Sequence, residues 1–149
     1  IPLAYKQPPD MCYASAFFVE HGSKYIFGIL TSNVHNAWMR VVAGRLKSDY
    51  RYSNTIVYNN FPWPKPTGAQ KAKIEATAQA ILDARALYPD SSLADLYDEL
   101  TIPPELRKAH QNNDKAVMEA YGFDWRNMSE SDCVAELMKL YQQLVSKEK

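Results

Sequence analysis

A short proline-rich segment at residues 61–66 limits what this chain can fold into more than any other stretch. Its sequence is FPWPKP, with proline at every second position from 62 to 66. Proline fixes φ, lacks an amide donor and disfavours helix in the preceding residue, so the segment can be neither a helix nor a central strand. We therefore expect an extended strap that divides the chain into two subdomains, with Trp63 as a packing anchor.

Short strands are predicted before the strap. Apolar and aromatic residues alternate over residues 13–19, which predicts a strand, and a turn is expected at 21–23. Residues 24–27, KYIF, then predict a second short strand. The sequence NTIVY at 54–58 predicts a third.

One helix is predicted between these strands, over residues 32–43. Leu30, Val34 and Trp38 recur at helical spacing, so we expect the helix to bury Trp38. Gly44 follows its last apolar residue, at the position where a left-handed C-cap is often found.

Helices alone are predicted after the strap, because capping residues and prolines there alternate with apolar residues at helical spacing. The expected helices are 69–87 after Thr67, 93–100, 103–121 from Pro103-Pro104, and a last one after Ser129 and Asp132. The predicted class is α+β and mostly α. A small strand-plus-helix front subdomain over residues 1–66 precedes a helical C-terminal domain over residues 67–149.

Charge is distributed unevenly along a chain whose formal net charge is zero. Residues 1–66 hold seven Lys and Arg against three Asp and Glu, a net charge of +4. Residues 67–149 hold ten against fourteen, a net charge of −4. This asymmetry indicates a basic front and an acidic, solvated helical rear.

Cysteine usage and hydropathy indicate a cytoplasmic protein without a membrane partner. Cys12 and Cys133 are far apart and have no metal-ligand spacing, so we expect neither a zinc site nor a disulfide. No apolar run reaches the length of a membrane span. The chain opens at Ile1 without a methionine, which suggests a piece of a longer protein.

Basic and aromatic residues alternate over residues 44–52, GRLKSDYRY, which makes this segment the candidate nucleic-acid contact. Asp49 is the exception within the basic run: a carboxylate gains nothing from phosphates, but it can accept a hydrogen bond from cytosine N4. Arg and Tyr also cover ordinary surface loops, so that alternative stays open. The candidate residues are Arg40, Arg45, Lys47, Asp49, Tyr50, Arg51 and Tyr52.

The sequence predicts no catalytic site and no metal site in this chain. A loop for S-adenosylmethionine requires clustered glycines after a strand, whereas the five glycines here are scattered. The run Asn59–Trp63 has the residue types of an amino-methyltransferase motif in the wrong order. The three histidines lack ligand spacing, and we expect His35 and His110 to be satisfied by neighbouring groups.

Longer stretches resemble one known family. The sequence FGILTSNVHNAWMRVVAGRLKSDYRYSNTIVYNNFPWP looks like the C-terminal part of MmeI-type restriction–modification proteins (type IIG/IIL). The run ILDARALYPDSSLADLYDELTIPPELRKAHQNNDKAVMEAYGF is similar to their C-terminal helical domain. The opening IPLAY resembles a strand of their recognition domain, and the strap with Gln70 resembles the end of recognition domains in type I specificity subunits.

The resemblance implies the end of a target-recognition domain that contacts double-stranded DNA, followed by the C-terminal domain. Such proteins methylate adenine N6 and cleave DNA, using S-adenosylmethionine and Mg²⁺. Those catalytic regions would lie upstream in the same polypeptide and would be partners of this chain, which itself would need no cofactor.

The resemblance also implies a role for two residues. In the family, the positions two and four after the arginine of the Gly-Arg pair vary with the DNA sequence recognised. These positions are Lys47 and Asp49 here, which agrees with donation to guanine O6 or N7 and acceptance from cytosine N4. Arg45 and Arg51 are then expected to contact phosphates or to be structural.

Two functions from different classes remain open. The first is DNA recognition within a restriction–modification protein. The second is a helical scaffold that braces the recognition and methyltransferase domains without contacting DNA, which the acidic rear favours. A free-standing enzyme is rejected because the sequence shows no arrangement of catalytic residues.

Overall fold

A computed structural model describes residues 2–13 and 16–147 of the chain. In chain order it contains α1 (Lys24–Thr31), α2 (Asn33–Val42), β1 (Gly44–Leu46), β2 (Asp49–Arg51), a π-helical turn (Asn54–Tyr58), α3 (Gly68–Ala86), α4 (Leu93–Leu96), α5 (Pro104–Tyr121) and α6 (Glu130–Lys147). Within these ranges β1 and β2 form a two-stranded sheet, and the other elements are helical. The predicted class, mostly α with a small β part, is confirmed.

Local capping signals fix the helices after the strap, as the sequence predicts. The hydroxyl of Thr67 accepts from the amide of Gln70 at 3.2 Å, and the Gln70 side chain accepts from the Thr67 amide at 2.9 Å, so both orphan donors at the start of α3 are satisfied. Proline opens α5, and Gly122 ends it with a left-handed φ of 76°. The short helix is shorter than predicted and ends at Leu96.

The strand predicted at residues 24–27 is wrong, because these residues begin α1. The hydroxyl of Ser23 accepts from the Ile26 amide at 3.2 Å and caps the helix, and residues 27–31 are buried. Burial against other helices therefore overrides the strand preference of these aromatic and branched residues. The strand predicted over 13–19 falls partly on residues 14–15, which lie outside the described residues, and its described remainder is not in a strand.

The strand predicted at residues 54–58 is also wrong, because these residues form the π-helical turn. The Ser53 carbonyl accepts from the Val57 amide at 2.8 Å, and the Val57 carbonyl accepts from the indole of Trp38 at 3.0 Å. The turn thereby buries Val57 completely, at 0% exposure, against α2. A short segment with both a local cap and a buried anchor gains more from the turn than from an unpaired strand.

The predicted helix over 32–43 is confirmed as α2, which buries Trp38. The hydroxyl of Ser32 accepts from the His35 amide at 3.3 Å, so the serine is the N-cap. The prediction for Gly44 is wrong. The C-cap is Ala43 in an extended conformation, and Gly44 opens β1.

The hydrophobic core crosses the strap. One buried cluster joins residues of α2 and the π-helical turn to residues of α3, α5 and α6, and a second joins α1 to α3, α4 and α5. The first contains Ile29, Val34, Trp38, Met39, Val57, Phe61, Ile74, Ala116, Val117, Cys133 and Leu137. The second contains Phe27, Ala78, Ile81, Ala84, Leu96, Leu106 and Ala109. The helices after the strap thus form one side of the core on which the segments before it pack.

Close packing between α1 and α3 requires a glycine. A Cβ built on Gly28 would lie 2.8 Å from Cγ2 of Ile74 and 3.0 Å from the side-chain oxygen of Asn113. The Asn113 amide group donates to the Gly28 carbonyl at 2.8 Å, and its oxygen accepts from the Thr77 hydroxyl at 3.0 Å. The missing side chain of Gly28 therefore lets three helices meet around one buried amide.

Within the described ranges, no helix is both long and apolar enough to cross a membrane. The same residues contain no group of three or more His, Cys, Asp or Glu side chains arranged to hold a metal ion. Cys12 is exposed and Cys133 is buried, and both are free thiols.

Candidate nucleic-acid interface

The candidate segment forms an exposed β-hairpin that projects between α2 and the π-helical turn. Strand β1 pairs antiparallel with β2, with Gly44 opposite Arg51 and Arg45 opposite Tyr50. A two-residue turn, Lys47-Ser48, connects them. Every described side chain from Arg45 to Arg51 is exposed. No strand is predicted from the sequence over residues 44–52, so the hairpin is a finding of the structure.

Arg45 and Tyr50 stack across the hairpin. The guanidinium carbon of Arg45 lies 4.2 Å from the centre of the Tyr50 ring, and its Nη2 donates to the Tyr50 hydroxyl at 2.8 Å. Its Nη1 also reaches the carbonyl of Ser48 in the turn, at 3.4 Å. The polar contacts of Arg45 are thus made within the hairpin itself.

Lys47 occupies a strained backbone position at the tip. Its φ is 59°, in the left-handed region. Residues other than glycine, asparagine and aspartate seldom adopt this backbone conformation. Two-residue hairpin turns commonly require a positive φ, and Gly or Asn usually supplies it. The lysine side chain at this place therefore comes at a conformational cost of about 1 kcal/mol.

Asp49 and Arg51 lie on the opposite face of β2 from Tyr50, because successive side chains of a strand alternate between faces. Among the described residues, the side chains of Lys47, Asp49 and Arg51 make no hydrogen bond or ion pair within the chain. The hairpin therefore presents two cationic groups and one carboxylate that are free to meet another molecule.

The base of the hairpin is anchored in the core by Tyr52. Its hydroxyl lies 2.9 Å from Nε2 of His35, and the His35 ring packs edge-on against Phe61 with centroids 4.6 Å apart. Burial lowers the pKa of His35 to about 4 and raises the pKa of Tyr52 to about 12, so both rings are neutral near pH 7. This neutral pair anchors the end of β2 to the core.

The structure separates two predicted residues from the tip. Tyr52 faces inward, and Arg40 donates to Glu130 of α6 at 2.9 Å instead of contacting the hairpin. The hairpin carries the other predicted residues, Arg45, Lys47, Asp49, Tyr50 and Arg51.

The two histidines that were expected to be satisfied by neighbouring groups, His35 and His110, differ from each other. His110 is hydrogen-bonded to the Tyr97 hydroxyl at 2.6 Å. Nδ1 of His35, in contrast, is buried without a partner among the described residues.

A cavity of about 430 Å³ lies beside the hairpin base and was not predicted from the sequence. Its lining includes Phe17, Phe18, His35 and Tyr52. The signal in the sequence was the aromatic pair at 17–18, which was assigned to the strand predicted over residues 13–19. Both phenylalanines are largely exposed, at 61% and 69%.

Comparison with known proteins identifies both parts of the chain. Residues 1–65 match the family model described as the MmeI target recognition domain, and residues 66–148 match the MmeI C-terminal domain. The chain is 41% identical over 123 residues to DNA methyltransferase A of Bacillus subtilis (strain 168). The aligned residues cover 83% of this chain and 14% of the relative.

A solved structure gives the same result. It is described as the type IIL restriction–modification enzyme MmeI in complex with DNA, and it matches with a TM-score of 0.80 and 52% sequence identity. The match covers 85% of this chain and 17% of that chain, so the sequence spans about a sixth of the length of the relatives it matches. The chain belongs to the MmeI family of restriction–modification proteins, and its two parts match the models of that family's target recognition and C-terminal domains.

Proposed function

We propose that this chain recognises a specific sequence of double-stranded DNA and that Lys47 and Asp49 contact the bases. Residues 1–66 would act as part of the target-recognition domain and residues 67–149 as the C-terminal helical domain. The observation that carries the proposal is the exposed hairpin, on which these two side chains have no partner within the described part of the chain. The family match and the DNA-bound relative support it.

The chemistry of base recognition fits the two side chains. A two-stranded ribbon can enter the major groove, which is about 12 Å wide. The Lys47 ammonium donates to O6 or N7 of guanine, while the Asp49 carboxylate accepts from N4 of the paired cytosine. The two side chains would thereby discriminate one G·C pair, and such a contact is worth about 1–3 kcal/mol against the wrong base.

Contacts with phosphate supply affinity that does not depend on sequence. Arg51 is an exposed cation without a partner among the described residues, and it follows Asp49 by two positions on the same face of β2. Neutralising one phosphate releases counterions, so each such contact steepens the salt dependence of binding by about one unit of slope. Arg51 therefore positions the hairpin on the duplex, while the two residues nearer the tip specify the base pair.

The activity of the complete protein is a further part of the proposal. We infer a cytoplasmic bacterial enzyme that methylates adenine N6 with S-adenosylmethionine and cleaves DNA with Mg²⁺. The descriptions of the two relatives, a DNA methyltransferase and a restriction–modification enzyme, support it. The catalytic residues would lie in regions of the same polypeptide outside this chain, which is non-catalytic itself.

A second function, bracing of the recognition domain by the helices after the strap, is favoured by the shared core. The Tyr121 hydroxyl of α5 donates to the Pro62 carbonyl of the strap at 2.7 Å, and Arg40 of α2 pairs with Glu130 of α6. These links fix the two parts against each other. In this alternative the helices orient the recognition domain and the chain makes no DNA contact of its own.

A DNA-binding titration of the complete protein at low and moderate salt tests the proposal. We expect sequence-dependent binding that weakens with salt, and loss of the preference at one base pair in Lys47→Ala and in Asp49→Ala, while the preference at the other positions is kept. Lys108→Ala is the matched control, because Lys108 is an exposed lysine of α5 far along the chain from the hairpin. If both hairpin variants keep the preference, the proposal fails. If the folded protein does not bind DNA at low salt, bracing becomes the better account.

A further inference from the structure

The hairpin has little structure to hold it in one conformation. Each strand has three residues, and within the described ranges the sheet has no third strand. A two-stranded hairpin of this size is marginally stable in water. Base recognition, however, requires donors and acceptors to be held in a fixed geometry before they meet the duplex.

The Arg45–Tyr50 pair is the feature that restrains the tip. The two residues are direct cross-strand partners, and their side chains stack at 4.2 Å with a hydrogen bond of 2.8 Å. The same guanidinium reaches the Ser48 carbonyl at 3.4 Å, so one side chain links both strands to the turn. Because the pair occupies one face of the hairpin, the other face remains free for Asp49 and Arg51.

The strained turn makes this restraint necessary. Lys47 has a φ of 59°, a conformation that a lysine would leave if the two strands were not held together. Neither the Lys47 nor the Asp49 side chain makes a hydrogen bond or an ion pair within the described residues that could position it. The placement of both side chains therefore depends on the backbone between Arg45 and Tyr50.

We propose that Arg45 and Tyr50 are positioning residues, which form a clasp that holds Lys47 and Asp49 in the geometry for base recognition. This inference rests on the proposed function. It distinguishes the two arginines of the hairpin: Arg45 acts through the tip residues, whereas Arg51 contacts phosphate. The Arg45–Tyr50 pair itself does not discriminate between DNA bases.

The test measures base discrimination and salt dependence separately. A duplex is selected from a random-sequence library with the complete wild-type protein, and each base pair is then substituted in turn. The informative position is the base pair whose substitution weakens binding by the wild-type protein but not by Lys47→Ala. At this position, Tyr50→Leu removes the ring without changing any charge, so we expect discrimination to fall about tenfold with an unchanged salt slope.

Arg45→Ala is expected to give the same two results, although it removes a cation. Tyr50→Phe keeps the ring under the guanidinium and should retain most of the discrimination. Arg51→Ala is the matched control, and its salt slope should fall by about one unit while discrimination is kept. Thermal unfolding of every variant should match that of wild type, because the hairpin is exposed.

Two results would overturn the clasp: a salt slope that falls by about one unit in Arg45→Ala, or discrimination that survives Tyr50→Leu. Failure of the underlying function gives a different result. In that case the wild-type protein selects no sequence from the library, or no position depends on Lys47.

Discussion

Substitution of Gly28 by alanine tests the packing on which the whole fold depends. Two effects oppose each other. Alanine in a helix is favoured over glycine by about 1 kcal/mol. The added Cβ, however, would lie 2.8 Å from Cγ2 of Ile74 and 3.0 Å from the side-chain oxygen of Asn113, both of which are fully buried.

The steric effect is expected to exceed the gain in helix propensity. Overpacking of a filled core costs about 1–3 kcal/mol. Displacing Asn113 adds to this, since its amide donates to the Gly28 carbonyl and accepts from Thr77, and a buried polar group that loses a partner costs about 1–3 kcal/mol. The net expectation for Gly28→Ala is a loss of about 1–5 kcal/mol of stability.

Urea denaturation of the variant measures this loss as a lower midpoint with an unchanged slope. Gly68→Ala is the matched control, because a Cβ on Gly68 at the start of α3 meets nothing within 4 Å. The control should be as stable as wild type or more stable. If Gly28→Ala proves as stable as Gly68→Ala, the close contact of α1 with α3 is refuted.

Three further predictions concern the hairpin base and the links across the strap. Tyr121→Phe removes the donor to the Pro62 carbonyl and should cost about 1 kcal/mol in urea denaturation; an unchanged midpoint would refute that link. Arg40→Ala and Glu130→Ala break an exposed pair, and a double-mutant cycle should give a coupling below about 1 kcal/mol; a larger value would show that the pair is desolvated. Burial lowers the pKa of His35 to about 4, so the unfolded chain binds more protons than the folded one between pH 6.5 and 4. Stability should therefore fall by about 3 kcal/mol on acidification from pH 7 to 4 through this group, and His35→Gln should show a smaller fall; equal pH profiles would contradict the burial.

The sequence predicts the helices after the strap because their signals are local. Capping residues, an opening proline and a closing glycine act within one turn of the residues they stabilise. Residues 24–27 and 54–58 were misassigned for the opposite reason. Their preference for strands is overridden by burial against distant helices, which sequence periodicity does not reveal.

The candidate residues were predicted, whereas their arrangement was not. The alternation of basic and aromatic residues over 44–52 identified the segment. The hairpin was missed because its strands have three residues each and its turn lacks the glycine or asparagine that signals one. The contact between Arg45 and Tyr50 follows from the register, so no pattern in the sequence could indicate it.

Exchange of charge at the hairpin tip tests base recognition most directly. Lys47→Glu combined with Asp49→Arg reverses the donor and the acceptor while the backbone and the net charge of the hairpin are kept. The sequences bound from a random duplex library are determined for the complete protein with and without both changes. We expect a different preferred base pair at one position and an unchanged preference elsewhere. An identical recognition sequence in the double variant would show that these two residues do not contact the bases.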